Sequence, residues 1–161
     1  MKKYINLLAA VMIVGCGINT GYANSSTGCQ ALAGTTWTAS VRLSPDFDRS
    51  KPELNDVITI NIDSVVKGSS SYGLRGTMSS TGSDNFSSVP FYGAGCDQGP
   101  DGKITWVDTY VSIDDSIFHV LSRNSSHSES PTSLNIPRHA VSWKSGGTLY
   151  SSKDEATLNK L

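Results

Sequence analysis

The chain has 161 residues, a formal net charge of −1 and 17% charged residues. This length suits a single domain with its own hydrophobic core. The near-neutral charge excludes the strongly basic field typical of nucleic-acid binding, so we expect no nucleic-acid partner. Glycine, serine, threonine and asparagine are abundant and long helix-forming runs are missing, which favours strands and turns over helices.

Residues 1–23 have the pattern of a secretory signal peptide. Lysines follow the first methionine, residues 5–14 are mostly apolar, and Gly21-Tyr22-Ala23 is a small-x-small cleavage site. The apolar run is too short to span a bilayer. We therefore predict that residues 24–161 form a single exported β-domain, in the periplasm or outside the cell.

A second interpretation of the leader concerns its cysteine. Ile13-Val14-Gly15-Cys16 resembles a bacterial lipobox, in which the cysteine becomes the lipidated first residue of the mature chain. The resemblance implies an outer-membrane-anchored lipoprotein, since two or more acyl chains hold a protein durably on a membrane. Cleavage after Ala23 discards Cys16 instead. Both alternatives stay open, and a membrane is a partner only if Cys16 is lipidated.

Both cleavage sites leave Cys29 and Cys96 in the folded part of the chain. Two cysteines in an exported domain most often form one disulfide. Neither belongs to a Cys-x-x-Cys motif, and neither has a histidine nearby in sequence. The sequence therefore predicts a structural disulfide between Cys29 and Cys96.

Alternation of apolar and polar residues predicts about eight short strands along the chain. In chain order they cover residues 35–43, 57–66, 72–78, 86–92, 103–113, 117–123, 140–144 and 148–152. Residues 44–55 and 124–138 are polar and proline-containing, and are predicted to be long loops. The glycine-rich residues 93–102 are predicted to form turns, and residues 154–161 a short helix or a frayed end.

Most neighbouring strands are joined by plausible hairpins, and no crossover helix is apparent. The pattern therefore predicts an all-β, antiparallel fold. A small up-and-down barrel is favoured because closure removes exposed strand edges, with a two-sheet β-sandwich as the alternative.

The opening strand carries a resemblance to known families. Leu32-Ala33-Gly34-Thr35-Thr36-Trp37 is similar to the Leu-x-Gly-Thr-x-Trp opening of META domains, found in small bacterial envelope lipoproteins. It also resembles the calycin-like barrels, lipocalins and avidins, whose first strand begins with Gly-x-Trp, although here one more residue separates glycine from tryptophan. The META resemblance implies a small bacterial envelope β-domain, and the calycin-like resemblance implies a barrel with the Trp37 indole at its floor.

The sequence contains no serine-hydrolase elbow, zinc-protease motif, phosphate loop or dinucleotide fingerprint. We therefore predict a protein that is not an enzyme and uses no cofactor. Asp46, Asp48 and Glu53 do not complete a calcium-loop pattern, because Lys51 stands where a glycine is needed. Asp97 and Asp101 are interpreted as a solvated acidic turn, so no metal site is predicted. His119, His127 and His139 are interpreted as surface imidazoles, with His119 on the outer side of its strand.

The preferred candidate site is a trio on one face of the strand 103–113. Trp106, Asp108 and Tyr110 alternate along it and share that face with Ile104. If the face lines a cavity, the trio is expected to bind a small polar ligand by stacking and a charged hydrogen bond. If it faces outward, it is an aromatic surface of the kind used in partner contacts.

Three functions are compatible with the sequence. A binding module for an unknown small ligand, or for an envelope or extracellular protein, is preferred. A structural or inhibitory envelope lipoprotein acting by surface contact is the alternative, and a secreted hydrolase is the least favoured.

Overall fold

A computed structural model of the chain describes residues 27–46, 50–82, 85–114, 116–145 and 147–161. The predicted signal peptide, with both cleavage sites and Cys16, lies outside the described residues. No helix among the described residues is long and apolar enough to cross a bilayer.

The described residues form one five-residue 3-10 helix, Gly28–Leu32, and eleven strands. The strands are β1 (Thr35–Pro45), β2 (Leu54–Lys67), β3 (Tyr72–Ser80), β4 (Val89–Pro90), β5 (Gly93–Gln98), β6 (Ile104–Ile113), β7 (Ser116–Arg123), β8 (Ser133–Ile136), β9 (Val141–Ser145), β10 (Thr148–Ser152) and β11 (Ala156–Lys160).

The strands pair into a closed antiparallel ring. The order of pairing is β1-β2-β3-β5-β6-β7-β9-β10, and β10 pairs with β1 again. The short strands β8 and β11 make a second link between β7 and β1. The predicted all-β, antiparallel fold is confirmed, and the closed ring is the hydrogen bonding of a small barrel or of a sandwich joined at both edges.

The core fills the space that the ring encloses. In β1 the predicted inward face is buried, because Trp37, Ala39, Val41 and Leu43 alternate with more exposed residues. Isoleucines of β2, Phe118 of β7 and residues of every other long ring strand complete the cluster. A ring of about eight strands encloses just enough space for such side chains, so the interior is a packed core.

Several predicted segments differ from the structure. The loop predicted at 124–138 contains β8, because Leu134 and Ile136 alternate with polar residues and are buried. The predicted helix or frayed end at 154–161 is wrong, because β11 pairs there with both β1 and β8. In both segments, backbone pairing with distant strands outweighs the local sequence signal.

The first part of the glycine-rich stretch after residue 92 is a strand, whereas the turn is found at its end, around Asp101 and Gly102, where the Gly102 N–H donates to the Gly99 carbonyl. β5 begins at Gly93 and pairs with β6 over most of its length. The strand predicted at 86–92 shrinks to the two residues of β4. The side chain of Phe86 instead enters the core and meets the ring of Phe118 edge-on, with centroids 5.6 Å apart.

A register shift in the β5–β6 pair changes which residues share a face. Trp106 pairs with Asp97, whereas Ile104 pairs with the next residue, Gln98, so Thr105 is an extra residue in β6. Such a bulge reverses the alternation locally. Ile104 therefore points into the core with 1% exposure, and its predicted place beside Trp106 is wrong. The β2–β3 pair has a similar register shift between Ile62 and Ser64, so Asp63 is an extra residue in β2.

The structure joins Cys29 to Cys96, the pairing that the sequence predicts. Both cysteines are fully buried. The disulfide fixes the 3-10 helix before β1 to the middle of β5. The Gln98 side chain strengthens this junction by accepting a hydrogen bond from the Cys29 backbone N–H at 2.8 Å.

Candidate functional site

The predicted trio lies on the outer face of the ring. In β6 the side chains of Val107, Thr109 and Val111 are buried, while those of Trp106, Asp108 and Tyr110 alternate with them and are half-buried. Of the two interpretations of this face, the outward one therefore applies. The outer surface of β5, β6 and β7 around the trio is called the β6 face below.

Asp108 is the hub of a hydrogen-bonded cluster on the β6 face. Tyr110 donates its phenol hydrogen to Oδ2 of Asp108 at 2.7 Å. Nε2 of His119 contacts Oδ1 of the same carboxylate at 2.5 Å. His119 is the cross-strand partner of Tyr110, and their rings stack in parallel with centroids 4.3 Å apart. Each of the three side chains is thus held by the other two.

The hydrogen bonds shift the pKa values of two members of the cluster. Burial alone raises the pKa of the Asp108 carboxyl, but the bonds from His119 and Tyr110 outweigh it and hold that pKa below its usual value. The bond to Asp108, aided by burial, raises the pKa of Tyr110 to about 12. At neutral pH the cluster is therefore a carboxylate that accepts from a neutral phenol.

We expect the Tyr110 phenol to ionise well above the usual range of a tyrosine side chain. The raised pKa means that its stabilising bond is complete below the ordinary tyrosine pKa of about 10 and is lost as pH rises through about 12. Phenolate absorbance during an alkaline titration measures this, with Tyr110→Phe identifying the step. Asp108→Asn should return the step toward about 10; a late step that survives this change would rule out Asp108 as its cause.

Two glycines of β5 lie against the aromatic rings of β6. A Cβ atom on Gly95 would meet Cη2 of Trp106 at 3.5 Å, and one on Gly93 would meet Cδ2 of Tyr110 at 3.7 Å. The rings therefore lie over bare backbone, which aromatic side chains cover when a strand offers glycine. Both distances are ordinary van der Waals contacts, so the rings pack on β5 without requiring glycine at either position.

A shallow depression of about 210 Å³ lies beside the cluster, lined by Trp106, Asp108, Leu121 and Arg123. Leu121 and Arg123 come from β7, directly across from Asp108 and Trp106. Arg123 is exposed, and its guanidinium has no hydrogen-bond or ion-pair partner among the described residues. The depression thus offers an indole, a carboxylate that accepts hydrogen bonds and a free guanidinium that donates them.

A second, larger concavity lies at the end of the ring where β1 meets β10. Its volume is about 570 Å³, and its lining includes Asp46, Glu53, His139 and Ser151. The Ser151 hydroxyl donates to Asp46, and Nδ1 of His139 lies 3.1 Å from the same hydroxyl. In a catalytic triad the histidine takes the serine proton and the carboxylate holds the histidine. Here the carboxylate holds the serine, so these residues do not form a triad.

The carboxylate of Asp56 has a structural role. It is 2% exposed and accepts hydrogen bonds from the Ser80 hydroxyl at 2.7 Å and from the backbone N–H groups of Thr81 and Gly82. These bonds secure the chain as it leaves β3. Within the described part of the chain, no three histidine, cysteine or acidic side chains are grouped to hold a metal ion.

Sequence reasoning found the centre of the β6 face but missed several of its members. His119 was placed on the outer side of its strand without its contact to Asp108. Leu121, Arg123 and the two β5 glycines were not singled out. The hairpin predicted between residues 113 and 117 carried only part of the signal, because that register would set Tyr110 opposite Val120. In the structure Ile113 pairs with Ser116, which brings His119 opposite Tyr110.

Comparison of the chain with protein-family models, curated proteins and solved structures finds no match. The resemblance of residues 32–37 to META and calycin-like domains therefore stays a prediction.

Proposed function

We propose that this protein is an exported, non-catalytic binding module whose binding surface is the β6 face. The main support is the depression beside Trp106, where an indole, a preoriented carboxylate and an unpaired guanidinium converge. Binding sites combine apolar and aromatic surface with a few convergent polar groups in this way. The packed interior of the ring favours an outer surface over an enclosed cavity.

Two features of the chain support the proposed location, its leader pattern and its disulfide. The leader pattern of residues 1–23 is typical of export. The Cys29–Cys96 disulfide suits an oxidising compartment such as the periplasm or the extracellular medium. Lipidation of Cys16 would add a membrane anchor to the same module without changing the β6 face.

The absence of a catalytic role is proposed from the bonding of the cluster. Asp108 accepts hydrogen bonds from Tyr110 and His119, and no serine, threonine or cysteine hydroxyl or thiol is hydrogen-bonded to His119 among the described residues. Nucleophilic catalysis needs such a contact between nucleophile and base. We therefore expect bound molecules to be released unchanged.

The test is affinity capture from the envelope and culture medium of the source organism, with the immobilised disulfide-bonded domain as bait. Trp106→Ala and Asp108→Ala should each reduce capture at least about tenfold, since central aromatic and charged contacts dominate binding energy. Val57→Ala is the matched control, because Val57 is 42% exposed on β2, away from the β6 face. Equal capture by wild type and both site variants would exclude this surface.

A surface-contact role without a small ligand is the competing function. Replacing Trp106 and Tyr110 by alanine distinguishes the two. Loss of a captured small molecule, with the fold intact, supports ligand binding in the depression. Loss of a captured protein with no small molecule present supports a contact role, structural or inhibitory.

A further inference from the structure

We propose that the depression on the β6 face binds one neutral pyranose ring of a glycan, with the sugar stacked on Trp106 and its hydroxyls bonded by Asp108 and Arg123. This inference rests on the proposed function and names its ligand class. It is carried by three properties of the depression: its hydrogen-bonding pattern, its charge and the placement of its indole.

The hydrogen-bonding pattern calls for a ligand that both donates and accepts at neighbouring positions. An ionised carboxylate only accepts, and a guanidinium only donates. Asp108 and Arg123 line the same small depression, so its occupant must donate to one and accept from the other within a few ångströms. Adjacent hydroxyl groups on a sugar ring do both, because each hydroxyl is a donor and an acceptor.

The charge pattern selects a neutral ligand. Asp108 is ionised at neutral pH because its pKa lies below the usual value, and Asp97 lies directly across from Trp106 on the other side. An anionic ligand that met Arg123 would also meet the Asp108 carboxylate, which lines the same depression. A cationic ligand that met Asp108 would meet Arg123. Sugar hydroxyls carry no net charge and satisfy both groups without repulsion.

The indole supplies the remaining contact. Trp106 lies over Gly95, so backbone supports it on one side, and it borders the depression together with Leu121. The C–H face of a pyranose is flat and apolar, and it can cover an aromatic ring while the hydroxyls at its rim remain free to form hydrogen bonds. Leu121 extends this apolar floor.

The size of the depression limits the ligand to one bound ring. Its volume of about 210 Å³ equals roughly seven waters at about 30 Å³ each, and it lies below the usual range of drug-sized pockets. Because the depression is shallow and open, the rest of a glycan chain can continue into solvent. Affinity for a single ring is therefore expected to be weak and to rise when several copies of the protein meet one polymer.

The experiment is an NMR titration of the disulfide-bonded domain, followed through its indole N–H signals and, in the variants that lack the Trp106 indole, through the backbone amide signals of β5, β6 and β7. The chain has three tryptophans, and Trp37 and Trp143 are buried, so these two report on the fold while Trp106 reports on the site. The probes are hexasaccharides of neutral glucose, mannose, galactose and N-acetylglucosamine. Hexamers of galacturonic acid and of glucosamine supply matched anionic and cationic chains.

We expect at least one neutral hexasaccharide to shift the Trp106 signal saturably and to leave the two buried signals in place. Trp106→Ala and Arg123→Ala should each raise Kd at least about tenfold, Trp106→Phe should retain part of the affinity, and Val57→Ala should match wild type. The proposal is overturned if no neutral hexamer binds, if only a charged hexamer binds, or if Trp106→Ala binds as well as wild type.

Periodate treatment distinguishes a wrong sugar assignment from a wrong binding surface. Periodate cleaves vicinal diols, and protease removes proteins but leaves glycans that resist periodate. If material captured through Trp106 is lost after periodate treatment of the extract and withstands protease, the sugar assignment is supported. If Trp106-dependent capture survives periodate and is lost after protease treatment, the β6 face is a binding surface for a protein and the sugar assignment fails. If capture never depends on Trp106, both proposals fail.

Discussion

Replacing Trp37 by alanine is expected to lower the free energy of unfolding by about 4 kcal/mol, the usual cost of truncating a fully buried tryptophan. Trp37 is 1% exposed and belongs to the central cluster of the ring. Its indole N–H donates to the Thr35 hydroxyl at 2.8 Å, and that hydroxyl donates to the Leu32 carbonyl. The side chain thus ties β1 to the 3-10 helix as well as filling the core.

Urea denaturation followed by circular dichroism measures the effect. Domains of this kind are stable by only about 5–15 kcal/mol, so the expected loss is a large part of the total. Trp37→Phe should cost less, because a ring still fills most of the space. Thr35→Val should cost about 2 kcal/mol, because it leaves the buried indole N–H without its acceptor.

The surface tryptophan provides the matched comparison. Trp106→Ala should change the free energy of unfolding by much less than Trp37→Ala, since Trp106 packs over Gly95 on the outer face and leaves no core cavity. The two substitutions remove the same side chain and therefore separate core packing from the binding surface. Similar losses of stability from both would contradict the placement of Trp106 outside the core.

The alternation of apolar and polar side chains predicted most of the fold. Trp37, Ala39, Val41 and Leu43 fall on one face in sequence and on the buried face in the structure. This period-two signal is strong wherever one face of a strand meets the core and the other meets solvent. β8 and β11 were not predicted because each is short and pairs with strands that are distant in the sequence. β5 was not predicted because its glycines are typical of turns.

The candidate site was predictable only in part, for a related reason. The positions of Trp106, Asp108 and Tyr110 on a common face follow from spacing alone. The contact between Asp108 and His119 depends on the register of the β6–β7 hairpin. The reversal at Thr105, which sends Ile104 inward and Trp106 outward, comes from a bulge against β5. Neither side-chain polarity nor periodicity predicts that bulge, because it depends on the register in which β5 and β6 pair.

Removing the disulfide is expected to cost about 4 kcal/mol and to weaken binding as well. Cys29 and Cys96 are separated by 67 residues, and the chain-entropy model gives about 4 kcal/mol for closing a loop of that length. Replacing both by alanine also leaves the sulfur sites of a fully buried cluster underfilled. Urea denaturation of the double variant measures the loss. The m-value should rise, because an uncrosslinked unfolded chain exposes more surface.

The effect on binding follows from the position of Cys96. It lies between Gly95, which supports the Trp106 ring, and Asp97, which pairs with Trp106 across the ladder. β3 pairs with β5 only at Tyr72–Cys96 and Gly73–Gly95, so the disulfide is a main restraint on this end of β5. Without it, we expect the Trp106 indole signal to broaden while that of Trp143 stays sharp, since Trp143 lies on β9, which pairs with neither β5 nor the 3-10 helix. Reduction of the wild-type protein is the chemical control and should reproduce the double variant. Uniform broadening of all three indole signals would instead mean that the disulfide supports the whole domain and has no particular role at the β6 face.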